Sequence, residues 1–180
     1  MGSDGSDNRL REVQRNLPSA LSRLTVMSTL GIQPPGGCHY PAQGYAEMAR
    51  LIAPLIDRDL HRVRAGRSVT APNLVRAGYR DLAQTQLVLE FDQPVGWDPT
   101  LISEFWLDGV QGRVASGLTE GHRLILTLRE PSQARTLTYL NSASWNPKRL
   151  LRGANGIAAL TFCDVPLAPS KAAPARKGDH

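Results

Sequence analysis

The apolar pattern changes period near residue 68, and that change limits what the chain can fold into. Beyond it, apolar residues come in short runs at 74–79, 86–91, 105–107, 113–117, 123–128, 136–140 and 157–165. Turn pairs separate the runs: Asp108-Gly109, Gln111-Gly112, Glu120-Gly121, Glu130-Pro131 and Asn155-Gly156. Such pairs supply the positive φ or fixed φ that tight reversals need. About seven short strands in roughly a hundred residues predict an antiparallel β-sandwich over 69–168. Thirteen prolines and sixteen glycines fit a turn-rich chain.

Ahead of residue 63 the period is helical. Leu10, Val13 and Leu17 share one side of a short helix over 9–17, limited by Pro18. Residues 24–30 are apolar, small or β-branched, the composition of a strand buried on both faces. From 43 to 62 a second helix places Tyr45, Met48, Ala49, Ile52, Leu55 and Ile56 on one stripe. Pro54 should kink that helix or split it after Ala53. Residues 63–68 read as a linker, and the polar ends 1–8 and 169–180 as disordered. One strand and two helices cannot complete a parallel sheet. Residues 9–62 therefore read as the remnant of an α/β domain, and the whole chain as α+β.

Composition excludes several function classes. The net charge of +5 is scattered, and its densest group, Arg58, Arg62, Arg64 and Arg67, is broken by acids and apolar residues. With 6% aromatic residues there is no stacking surface to accompany it, so a nucleic-acid partner is not expected. No run approaches the roughly 20 apolar residues of a membrane span. The opening MGSDGSDN lacks the pattern of a signal peptide, and the compartment stays open. Cys38 and Cys163 are far apart and without CxxC spacing, so free thiols are the first reading. His39, His61, His122 and His180 lack ligand spacing, and no metal or organic cofactor is expected. Asp57 and Asp59, beside Arg58 and Arg62, read as surface ion pairs.

Between strand-like run and helix lies the loop Pro34-Pro35-Gly36-Gly37-Cys38-His39-Tyr40-Pro41, continuing to Gly44-Tyr45. Prolines and glycines stiffen it. A histidine at its tip is the leading catalytic candidate, as general base to a serine. The loop, with the amphipathic helix behind it, resembles the last catalytic block of SGNH-type esterases. More narrowly, residues 24–62 are similar to the carboxy-terminal part of the sialate O-acetylesterase and carbohydrate acetylesterase family. Asn155-Gly156-Ile157-Ala158-Ala159-Leu160, the Trp145-Asn146-Pro147 turn and the Leu107-Asp108-Gly109 hairpin resemble a β-sandwich appended to some members.

The resemblance implies hydrolysis of acetyl esters on a sugar, with His39 activating the serine. It also implies an acid two or three residues before the histidine, where this chain has Gly36 and Gly37. The family's Gly-Gln-Ser block is not found in residues 1–30. Ser22 and Ser28 are the nearby hydroxyls, and neither sits on a strand-to-helix glycine turn. A Cys38–His39 thiol pair is the rival nucleophile, though adjacent side chains point apart. The tryptophans Trp97, Trp106 and Trp145 read first as core, with Trp97, Tyr40 and Tyr45 as candidates for sugar contact.

Two functions are thereby expected. The first is the carboxy-terminal portion of a carbohydrate O-acetylesterase, weak or inactive alone, acting on an acetylated carbohydrate with a separate chain supplying the missing catalytic segment. The alternative is a non-catalytic carbohydrate-binding or accessory β-sandwich module.

Overall fold

The structure is a computed structural model that describes residues 6–33, 39–64, 66, 68–142, 144, 146 and 148–170. The readings for Gly36, Gly37, Cys38, Trp145, Pro147 and His180, and for the ends 1–5 and 171–180, lie outside the described residues.

Ten strands carry the β-rich part: β1 (Leu74–Tyr79), β2 (Gln86–Phe91), β3 (Val95–Gly96), β4 (Phe105–Leu107), β5 (Val110–Gln111), β6 (Val114–Glu120), β7 (Arg123–Leu128), β8 (Thr136–Tyr139), β9 (Arg152–Gly153) and β10 (Phe162–Ala168). Eight of them form one sheet in the order β5-β4-β8-β10-β1-β2-β7-β6, and β3 pairs with β9 apart from it. The expected antiparallel arrangement holds for every pair in that sheet but one. β1 and β10 run parallel, with Ala77 opposite Leu167 and Gly78 opposite Ala168. The sheet is therefore mixed. Its two edge strands, β5 and β6, are consecutive in the chain, so the sheet curls until its edges nearly meet. A six-residue 3-10 helix, η1 (Pro99–Glu104), precedes β4 and lies against β6 across that gap.

Alternation puts one face of each strand inside. On β2 the inward residues are Leu87, Leu89 and Phe91, and on β7 Leu124, Leu126 and Leu128, all buried. Four rings run through the core in sequence: Trp97 to Phe105 at 6.2 Å, Phe105 to Tyr139 at 5.2 Å, Tyr139 to Phe162 at 5.5 Å. These are spacings at which aromatic pairs attract beyond their buried area. The Tyr139 hydroxyl, fully inside, accepts from Leu151 N–H at 2.6 Å. Burial of that phenol raises its pKa above the ordinary tyrosine value. At the hairpin joining β4 and β5, Asp108 and Gly109 both have positive φ (46° and 76°), as a two-residue type I′ reversal requires. The Asp108 carboxylate also accepts from Arg135 N–H at 2.9 Å and Thr136 N–H at 2.8 Å.

The helical part differs from its sequence reading in three ways. Helix α1 covers Ser6–Ala20, with Pro18 inside it, longer than residues 9–17 at both ends. Its expected apolar face is turned outward: Leu10 and Val13 are 56% and 59% exposed, while Asn8 and Arg15 are buried. The cause is a polar anchor on the opposite face. Arg15 donates from Nη1 to Leu74 O at 2.9 Å and Asn73 Oδ1 at 3.1 Å, and is held by Glu12 at 2.6 Å. Glu12 in turn accepts from Cys163 N–H at 2.9 Å, and Asn8 Oδ1 from Ser142 N–H at 2.8 Å. Residues 8, 12 and 15 recur at helical spacing, and together they bind backbone groups at the ends of β1 and β10 and just after β8.

Second, residues 24–30 form no strand. A strand needs a ladder partner, and among the described residues none lies beside this segment. It runs as irregular chain, fixed where Leu30 packs on the core and Ile32 is buried. A Cβ on Gly31 (φ 81°) would stand 2.5 Å from Arg152 Nη2 and 2.9 Å from Leu150 Cδ1, so the chain presses directly onto the sheet domain there. Third, helix α2 (Ala42–Asp59) ends short of residue 62, and of the two outcomes expected at Pro54, kink or split, it does not split. Gly44 and Leu55 are its buried residues, and it makes no extensive contact with any strand.

Candidate functional site

His39 stands three residues ahead of the first residue of α2, exposed to solvent. Pro41 (φ −65°, ψ 164°) sets the entry to the helix, and Tyr45 N–H closes its first turn on Pro41 O at 3.1 Å. One turn into the helix, the Tyr45 hydroxyl lies 3.4 Å from His39 Nδ1. The rings of Tyr40 and Tyr45 meet edge to face at 5.9 Å and 80°. Tyr40 lies flat because Gly44 leaves room, since a Cβ there would be 2.9 Å from Tyr40 Cδ1. The Tyr40 hydroxyl then donates to Thr29 O at 3.3 Å and ties the loop to the chain before it. Three of the residues marked in the sequence, His39, Tyr40 and Tyr45, thus form one cluster.

What this cluster can do depends on the imidazole tautomer. If Nδ1–H donates to the Tyr45 oxygen, Nε2 carries the free lone pair and can take a proton. At 3.4 Å the contact is longer than a strong hydrogen bond. Among the described residues no carboxylate hydrogen-bonds His39, so nothing there plays the part of an orienting acid. Ser28 is also apart from it. Its Oγ is buried and accepts from Leu30 N–H at 3.3 Å, a local turn bond. Ser22 lies exposed in the turn after α1.

The other marked residues are dispersed. Trp97 is half-buried between β3 and η1, its ring over Gly117, where a Cβ would sit 2.6 Å from Trp97 Cδ2. That face is packed against β6 and joins the core stack through Phe105. Cys163 is a free, half-buried thiol in β10, and burial, then the adjacent Asp164 charge, raises its pKa. Neither favours a thiolate nucleophile. Asp59 pairs with Arg58 at 2.6 Å, and Arg58 Nη2 reaches Thr25 Oγ1 at 3.2 Å, joining the end of α2 to the segment before the loop. Among the described residues no group of three or more His, Cys, Asp or Glu could hold a metal ion, and no helix is long and apolar enough to cross a membrane.

Sequence reading missed the polar anchor of α1, because Arg15, Glu12 and Asn8 look like solvated surface until Asn73, Leu74, Ser142 and Cys163 are placed beneath them. Their helical spacing was the available signal. It also missed Asn155, read as a turn residue, whose Nδ2 donates to Ser68 O at 3.1 Å and Thr70 O at 2.8 Å.

No family model matches the chain, and no curated protein does. Among solved structures, a carbohydrate acetylesterase from Xanthomonas citri is similar in fold, with a TM-score of 0.54 and 17% identity. The match covers 73% of this chain, more than the strand-bearing region alone, and 30% of that enzyme. The S-layer protein rSbsC overlaps 75% of this chain and 17% of its own length, at 15% identity and a TM-score of 0.40.

Proposed function

We propose that the chain is the carboxy-terminal portion of a carbohydrate O-acetylesterase of the sialate type, with His39 in the general-base position. The observation that carries this reading is the likeness in fold, over 73% of this chain, to part of a carbohydrate acetylesterase. The His39–Tyr40–Tyr45 cluster adds to it, since it holds an exposed imidazole on a loop pinned at Thr29 and at α2. Residues 24–62 belong, in this reading, to an SGNH-like domain, and the strand partner of 24–30 comes with the polypeptide that carries the serine and the oxyanion donors. That polypeptide would leave His39 one member of a three-residue set.

A lone histidine lacks both the nucleophile and the donors that stabilise a tetrahedral oxyanion, which together supply most of the rate in acyl transfer. Hydrolysis of p-nitrophenyl acetate by the chain alone should therefore be close to buffer, and His39→Ala should not change it. Turnover well above buffer that disappears in His39→Ala would overturn the incompleteness and keep the esterase reading. Sugar binding measured on a glycan array, unchanged by His39→Ala and lost on replacing Trp97, would instead favour the non-catalytic module.

A further inference from the structure

A cleft lies away from the imidazole, between α1, residues 26–30 and the chain entering β10, with a volume of about 240 Å³. That is below the ~300–1,000 Å³ typical of drug-sized pockets, so it suits a small molecule. Its walls are of two kinds. Val26, Leu30 and Leu160 give an apolar side, whereas Arg11, Ser28 and Thr161 bring polar groups to the same space.

The polar groups have unused donors. Arg11 spends Nε on Asp7 O at 3.2 Å and Nη2 on Asn8 Oδ1 at 3.2 Å, leaving Nη1 without an acceptor among the described residues. It forms no salt bridge there, unlike Arg15 one turn on, which Glu12 neutralises. Partial burial costs the Arg11 cation, only partly offset by Asp7. Thr161 is 7% exposed, and its hydroxyl has no hydrogen-bond partner among the described residues. Ser28 is 5% exposed; its Oγ accepts from Leu30 N–H, which leaves its own O–H to donate. Ser28 Oγ has a partner in Leu30 N–H and the Thr161 hydroxyl is not sealed from solvent, so each can turn its O–H to the cleft it lines.

From this geometry we propose that the cleft binds a small carboxylate with a short apolar body. One unpaired guanidinium matches a single negative charge, and its planar N–H fork matches the two oxygens of a carboxylate. The Ser28 and Thr161 hydroxyls donate to the remaining lone pairs, and the apolar body lies on Val26, Leu30 and Leu160. Asp7 offsets the Arg11 charge only in part and forms no ion pair with it, and Glu12 is already committed to Arg15 and Cys163 N–H. The site does not depend on His39 acting as a base. Among the described residues it is linked to that loop through Thr29, which lines the cleft and accepts from Tyr40.

The test is an amide NMR titration of the full chain with sodium acetate, sodium glucuronate and sodium phosphate in separate arms, at constant ionic strength. Saturable shifts centred on Ser28, Leu30 and Thr161 are expected with a carboxylate; the acetate and glucuronate arms distinguish a simple acid from an acidic sugar. Arg11→Gln should weaken that binding about tenfold or more, as loss of a charge-assisted contact predicts. Thr161→Val, nearly isosteric, should weaken it several-fold without changing the melting temperature, and keeps the test valid if Arg11→Gln unfolds. No saturable shift with either carboxylate overturns the proposal. So does equal or tighter binding of phosphate, or carboxylate affinity unchanged in both variants.

Discussion

The two halves of the molecule are held by different forces. Residues 74–168 bury leucines and stacked rings behind an almost closed sheet, where each fully buried large side chain contributes about 1.5–3 kcal/mol. The helical half has little such burial. Of α2, Gly44 and Leu55 are buried, and Tyr45 and Ile56 remain 42% and 43% exposed. What fixes α1 is that Arg15 donates to Leu74 O while Asn8 Oδ1 and Glu12 accept from Ser142 N–H and Cys163 N–H. The lesson is that a chain can be amphipathic in the expected places and still dock by its polar face. Apolar stripes left outward on both helices are consistent with the incomplete α/β domain proposed above.

The comparison can be broken most directly at Arg15. Arg15→Ala removes the donor to Leu74 O and leaves Glu12 without its buried partner, a change expected to cost about 2–4 kcal/mol. Hydrogen exchange should show α1 amides opening while β2 and β7 amides keep their protection. Equal loss of protection in both would mean that the halves form a single cooperative unit. A smaller, opposite test lies in the core. Tyr139→Phe leaves Leu151 N–H buried without its acceptor and should cost about 1–3 kcal/mol in urea unfolding, with the sheet amides now the ones affected.

The smallest effect concerns acid. Arg76, then Arg123, hold the Glu90 carboxyl below the ordinary glutamate value, and the Thr85 hydroxyl does the same for Asp81. For Asp108, partial burial pushes upward but the Thr136 and Arg135 amides outweigh it, so its pKa too is lowered. A carboxylate with a lowered folded pKa adds stability that is complete above the unfolded value, about 4, and is lost as pH falls through the folded one. Thermal melting should therefore drop below about pH 4, and the drop should be shallower in Asp108→Asn. All three carboxylates belong to the sheet half. An acid transition seen first in the helices would contradict this.

How much could be read beforehand depended on whether a residue's role was local. Strands β1, β2, β4 and β7 begin and end where alternation and turn residues placed them, and Asp108-Gly109 makes its reversal by its own backbone preference. The His39–Tyr40–Tyr45 cluster was also within reach, because eleven or fewer residues connect its members and Thr29. Residues 24–30 were not, since a strand is a property of a pair and the partner lies elsewhere. The face that α1 buries depended on acceptors at 73 and 74 and donors at 142 and 163, remote along the chain.

By itself, then, the sequence determined the β-rich second half and its turns, because short-range sterics and alternation decide those. Tertiary structure alone decided that β1 and β10 run parallel and that the sheet nearly closes. It also decided that Arg11, Ser28 and Thr161 line one cleft. Those outcomes rest on contacts between residues far apart in the chain, and no local preference encodes them.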